Sequence, residues 1–156
     1  MPQSDVDYMR LALEQARLAW DAGEVPIGCV IVWDDGCIVG KGYNTRETEK
    51  CALGHAECNA IAAACRSLRG WRLHKATLYV TTEPCPMCAG AIMNARIARV
   101  VYGCRDAKAG GYGSVFDLNA FPVNHKPSVT GGVLAEECGA LLADFFKTLR
   151  TKGGKF

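Results

Sequence analysis

Two short segments, His55-Ala56-Glu57 and Pro84-Cys85-Pro86-Met87-Cys88, constrain this chain more than anything else in it. Each stands where a helix is expected to begin, and each carries side chains whose chemistry needs the other. A fold that honours both must bring two helix N-termini together. One imidazole and two thiols are the donor types of a zinc site. Three protein ligands leave one tetrahedral position open, as catalytic zinc sites do and closed structural ones do not. The Cys-x-x-Cys spacing lets both sulfurs reach one metal from a helix's first turn, where the dipole and unpaired N–H groups favour thiolates. Glu57 can stand beside such a metal without binding it. Taken singly the signals are weaker, since Cys-x-x-Cys also serves as a redox pair or half a structural zinc site. Cys51 and Cys58 lie nearby in sequence, but the two segments already fill the three positions.

The chain of 156 residues, 49% of them hydrophobic, suits one domain with a sizeable core. Its nine cysteines therefore read as reduced thiols rather than a disulfide framework. The 18 cations and 16 acids give a net charge of +2, which excludes a strongly basic nucleic-acid coat protein and an acidic disordered tail. The first ten residues contain no apolar targeting core, and apolar runs such as 29–33 are far too short to span a bilayer, so a cytoplasmic protein is expected. Residues 1–150 read as a single domain and 151–156 as a basic tail. The stretch 147–156, KTLRTKGGKF, holds four cations and no acid.

Periodicity places the motifs. Ser4 can cap a helix whose apolar face is Met9, Ala12, Leu13, Ala16 and Trp20. Strands at 27–33 and 37–43, joined by Asp34, Asp35 and Gly36, form a hairpin. Helices are expected over 55–66, 86–95 and 133–149, with strands over 76–81 and 98–102. The alternation implies a layered α/β domain with a mixed sheet. The Gly-rich stretch 108–113 lacks the Gly-Lys-Ser/Thr ending of a phosphate loop and reads as a flexible wall. Trp20 and Trp71 read as packing residues, and His74 as a surface residue. Cys29, Cys37, Cys65, Cys104 and Cys138 read as small buried hydrophobes.

His-x-Glu followed by Pro-Cys-x-x-Cys is the signature of zinc nucleobase deaminases, in which a glutamate beside the metal moves protons. Glu57 would act as base and then acid, a role typically worth roughly 10²–10⁴ in rate. Beyond the signature, the chain resembles the bacterial tRNA-specific adenosine deaminases over about residues 5–150. The likeness rests on Glu24-Val25-Pro26-Ile27-Gly28, Gly42-Tyr43-Asn44, His55-Ala56-Glu57, the run from Ala76 to Thr81 and that from Glu83 to Ala91. Arg105-Asp106-Ala107-Lys108, Asn124-His125 and Phe145-Phe146 extend it. Cys58 and Thr82 stand where the family more often has apolar residues.

The resemblance implies a three-layer α/β/α cytidine-deaminase-like fold with a five-stranded mixed sheet. It implies one zinc ion per subunit on His55, Cys85 and Cys88, with Glu57 catalytic. It implies that Asn44 and the backbone at Ala56 hold the base, and that Asp106, Lys108, Asn124 and His125 meet RNA around a flipped nucleotide. Phe145, Phe146, Lys147 and Arg150 would grip the anticodon stem-loop. A homodimer converting the wobble adenosine of a tRNA to inosine follows from the same likeness, with no membrane or DNA partner. A deaminase of free guanine or cytosine, or of a nucleoside, satisfies the Pro-Cys-Pro-Met-Cys string equally. A non-catalytic zinc module would have no use for Glu57, and a thiol oxidoreductase would leave Cys85 and Cys88 free to oxidise.

Overall fold

Strict alternation of apolar side chains along three strands gives this sheet two buried faces. Cys29, Ile31, Leu78, Val80, Val100 and Tyr102 point to one core, and Val30, Val32, Tyr79 and Val101 to the other. A sheet apolar on both sides needs helices on both sides. The computed structural model describes residues 3–152 and shows that arrangement. In chain order the elements are α1 (Asp5–Asp21), β1 (Gly28–Val32), β2 (Ile38–Tyr43), α2 (Ala56–Leu68), β3 (Thr77–Thr82), α3 (Pro86–Asn94), β4 (Arg99–Cys104), β5 (Ser128–Thr130) and α4 (Ala135–Thr151). The sheet order is β2-β1-β3-β4-β5. β1 runs antiparallel to β2 and β3, and β3, β4 and β5 are parallel. Helices α2 and α3 cover one face, α1 and α4 the other, so the fold is a three-layer α/β/α sandwich on a five-stranded mixed sheet.

Local chemistry explains the element ends. Ser4 caps α1 with a reciprocal pair: its hydroxyl accepts from the Asp7 N–H, and the Asp7 carboxylate accepts from the Ser4 N–H. In the β1–β2 turn, Gly36 takes φ +87° and the Asp35 carboxylate accepts from Cys37 N–H at 2.9 Å. Parallel β3 and β4 need a crossover, and α3 supplies it. Glycines on β2 let α2 lie against the sheet. A methyl on Gly42 would strike the Ala56 carbonyl and come within 2.6 Å of the Ala60 nitrogen.

Several expectations are corrected. Trp71 is 51% exposed rather than packed inside, with the Arg72 guanidinium 4.5 Å above its ring. Cys37 is exposed in the hairpin turn, and Cys65 and Cys104 are only half-buried, whereas Cys29 and Cys138 are buried. All nine cysteines are free. β5 was invisible as a separate strand, because three residues are too few to show a period. α4 runs through Thr151, one residue into the stretch read as a tail. Among the described residues, no helix is long and apolar enough to cross a membrane.

Candidate active site

The parallel and antiparallel halves of the sheet place the N-termini of α2 and α3 side by side. His55 is the residue capping α2, and Cys85 caps α3 with Pro86 in its first turn. Neither cap uses its side chain to close the helix, so both side chains remain available. The ligand atoms of His55, Cys85 and Cys88 all lie within 4.8 Å of one another. His55 Nδ1 is 3.5 Å from Cys85 Sγ and 3.6 Å from Cys88 Sγ. Tetrahedral zinc with ordinary Zn–S and Zn–N lengths puts nitrogen and sulfur about 3.5–3.6 Å apart, so the three donors fit that ion. Cys58 Sγ stands 3.9 Å from Cys88 Sγ, beside the cluster and outside the three-donor set.

The electrostatics suit a metal and a proton carrier. A hydrogen bond from the Cys88 thiol, reinforced by His55, pulls the Cys85 thiol down to about 4 from its ordinary 9.0. Hydrogen bonds to Cys58 and Cys85 push Cys88 the other way, so the first thiolate forms on Cys85. His55 is raised, chiefly by its bond to Cys85. Glu57 is 4% exposed, and loss of hydration raises its carboxyl to about 7. A carboxyl group poised near neutrality can both take and return a proton.

The cluster opens into a cavity of about 290 Å³. Asn44, Ala56, Glu57 and Asp106 line it with His55 and Cys85, and Phe146 stands at its edge. Asn44 is buried; its amide donates to the Val25 carbonyl at 3.3 Å and accepts from Arg46 N–H at 3.1 Å. That leaves one N–H and one lone pair for a ligand. The Asp106 carboxylate is occupied by the N–H groups of Lys108 and Ala109.

The remaining residues expected to meet the RNA lie outside the cavity lining. Lys108, Asn124, Lys147 and Arg150 are exposed and outside the cavity lining. His125 is turned to the protein, with Nε2 2.7 Å from the Ile97 carbonyl oxygen. Phe145 is buried edge-on against Trp20 at 5.2 Å, because adjacent helical residues point about 100° apart and only Phe146 faces outward. The basic residue at 155 lies outside the described residues. The lining also includes Val25, Ile27, Arg46, Thr82, Glu83 and Ala109, for which sequence spacing offered no signal except the acid of Glu83 between strand and motif.

The chain belongs to the zinc-dependent deaminases: residues 2–104 match the cytidine and deoxycytidylate deaminase zinc-binding region. Within that class its similarity is specific. It is 48% identical over 146 residues to the tRNA-specific adenosine deaminase of Bacillus subtilis, covering 93% of this chain and 90% of that protein. A solved structure from work on A-to-I editing by tRNA:A34 deaminases at the wobble position superposes with TM-score 0.83 at 40% identity, covering 86% of this chain and 98% of that one. The guanine deaminase of Bacillus subtilis is less similar, at TM-score 0.64 and 30% identity over 96% of this chain and 95% of that one. The zinc-dependent enzyme class, the five-stranded fold and the His55, Cys85 and Cys88 donor set thus agree with one another.

Proposed function

We propose that this enzyme hydrolyses adenosine to inosine at the wobble position of a tRNA anticodon, releasing ammonia. The observation that carries the chemistry is Glu57, buried beside the three-donor cluster and raised to about 7, facing a cavity of about 290 Å³. When bound, zinc acts as a Lewis acid that brings water toward ionisation at neutral pH, from about 15.7 to roughly 7. Glu57 takes a proton from the attacking water and gives it to the ring nitrogen; it then takes the second proton, from the hydroxyl now on the ring carbon, and gives it to the departing amine, which leaves as ammonia as the C–N bond breaks and the carbonyl forms. Asn44 presents its remaining N–H and lone pair to the base, whose edge carries both donors and acceptors. Exposed Phe146, Lys147 and Arg150 on the last turns of α4 give the nucleic acid a stacking surface and phosphate partners beyond the cavity rim.

Supporting the RNA substrate over a free base is the similarity at 43–48% identity to tRNA-specific adenosine deaminases, against 30% to a guanine deaminase. The chain acts as a homodimer in the same reading, testable by sedimentation at catalytic concentrations. The deciding experiment incubates purified enzyme with an adenosine-bearing anticodon stem-loop, and separately with free adenosine, guanine and cytidine. Inosine in the stem-loop, with slow or no release of ammonia from the free compounds, is the expected result. Turnover of guanine with none of the stem-loop would replace the reading with a free-base deaminase.

A further inference from the structure

Two buried carboxylates, Glu83 in the cavity lining and Glu24 next in sequence to the lining residue Val25, have no role in the proton chemistry proposed above. Glu24, in the α1–β1 connection, and Glu83, between β3 and α3, are each 1% exposed. Neither joins an ion pair among the described residues. Burying an unpaired anion is costly unless hydrogen bonds replace its hydration. Here every replacement comes from a loop. Glu24 Oε1 accepts from Glu47 N–H at 3.1 Å, and Oε2 accepts from the backbone N–H and the hydroxyl of Thr48, both at 2.5 Å. Glu83 Oε1 accepts from Asp106 N–H at 3.2 Å and from the Ser114 hydroxyl. Its Oε2 accepts from Tyr112 N–H at 3.0 Å and Ser114 N–H at 3.1 Å.

The loops so gathered both wall the cavity. The segment held by Glu24 carries Arg46, and the segment held by Glu83 carries Asp106 and Ala109. Neither segment contains a helix or a paired strand of the sheet, apart from one bridge at Tyr112 and Asp117. Shape matters at Glu83 too, since a methyl on Gly110 would run into its carboxylate. Burial works against ionisation of Glu24, yet hydrogen bonds from Thr48 outweigh it and hold its carboxyl below the ordinary carboxylate range. Glu24 is therefore charged at neutral pH, where charge-assisted bonds are about twice as strong as neutral ones.

We infer that Glu24 and Glu83 are positioning residues that hold two loop walls of the cavity, and thereby set how tightly the target nucleotide is bound. This rests on the reading of the cavity as a nucleotide site. A glutamine keeps the shape but offers one acceptor oxygen where two were used, so part of each loop's anchorage is lost. Losing such bonds predicts a roughly 10- to 100-fold rise in KM.

The test measures kcat and KM on the anticodon stem-loop, with zinc content, for E24Q, E83Q and their double variant. T48A and S114A, which remove one donor each and leave the buried acids in place, are measured alongside. The expected result is raised KM, nearly unchanged kcat and full zinc content in the single variants. The E24Q and E83Q effects add in log KM because they act on separate walls, while E83Q and S114A combine less than additively because they act on one. A fall in kcat at constant KM with a displaced pH profile would overturn the inference by making Glu83 a proton carrier. Unchanged KM in all variants, including T48A and S114A, would overturn it by leaving both walls indifferent to their pins. If the wild-type enzyme turns over guanine and not the stem-loop, the RNA reading fails by itself, and the same variants then show on guanine whether the pins set KM.

Discussion

At the scale of single residues, four side chains carry the chemistry and their roles separate by substitution. Glu57→Gln keeps the shape of the site but cannot relay a proton, so kcat falls by at least the roughly 10²–10⁴ that such transfer supplies, while elemental analysis still finds zinc. Cys85→Ser replaces a donor held near pKa 4 by a hydroxyl that stays protonated, and that variant loses its metal instead. The pH profile has a definite sign. Glu57 must begin ionised to act as a base, so kcat/KM falls as pH drops. Its carboxyl lies at about 7 in the absence of a cation, and bound zinc favours the ionised form, so the acid limb has its midpoint at or below about 7. A midpoint well above 7 would show that another group is titrating. His55, Cys85, Cys88 and Glu57 were legible in the sequence because their spacing within a helix turn is itself the constraint. Phe145 and His125 were not, because the faces they turn inward are fixed by Trp20 and by the Ile97 carbonyl, which no local pattern announces.

At the scale of elements, the catalytic geometry depends on how closely α2 sits on β2. Small residues on both partners make the approach possible: Gly40 and Gly42 on the strand face Ala56, Ala60 and Ala64 on the helix. Gly42→Ala drives a methyl into the helix backbone where His55 begins it, and overpacking of this kind costs about 1–3 kcal/mol. The expected outcome is a lower Tm together with weaker zinc retention against a chelator. A variant that is destabilised but holds zinc as well as wild type would show that the cap moves independently of the helix body. The helices and long strands were readable from their periods to within two residues or so. Ser128–Thr130 was not, since its strand identity comes from parallel pairing with Arg99, Val100 and Val101 and from nothing in its own composition.

At the scale of the whole molecule, charge ties distant parts together and faces the substrate. Asp5, at the start of α1, takes a two-pronged contact from Arg99 on β4, at 2.9 and 2.6 Å, and a hydrogen bond from Tyr79 on β3 at 2.8 Å. The Arg99 bond holds the Asp5 carboxyl below its ordinary 3.8. A group depressed in the folded state stabilises fully above its unfolded value and loses that contribution as pH falls through the folded one. Asp5→Asn is therefore expected to cost about 1 kcal/mol at neutral pH, a few degrees in Tm, with the gap from wild type closing below about pH 4. At the outer surface, Lys147 and Arg150 are exposed near the end of α4. Replacing both by Ala lowers the slope of log affinity against log salt by about 1.4–1.8 if each neutralises one phosphate. An unchanged slope would place the RNA backbone on another face.

The amino-acid order by itself determined the donor set, the proton carrier and the alternation of helix and strand, because each depends on spacings of one to four residues or on a period of two or 3.6. Only the folded chain decided which residues wall the cavity. Glu24 and Glu83 stand in segments that carry the family resemblance, but nothing in the sequence announced their burial, which comes from two distant loops that close over them and offer N–H groups in place of water. Long-range closure of that kind follows from the register and stacking of the sheet, which no short stretch of sequence encodes.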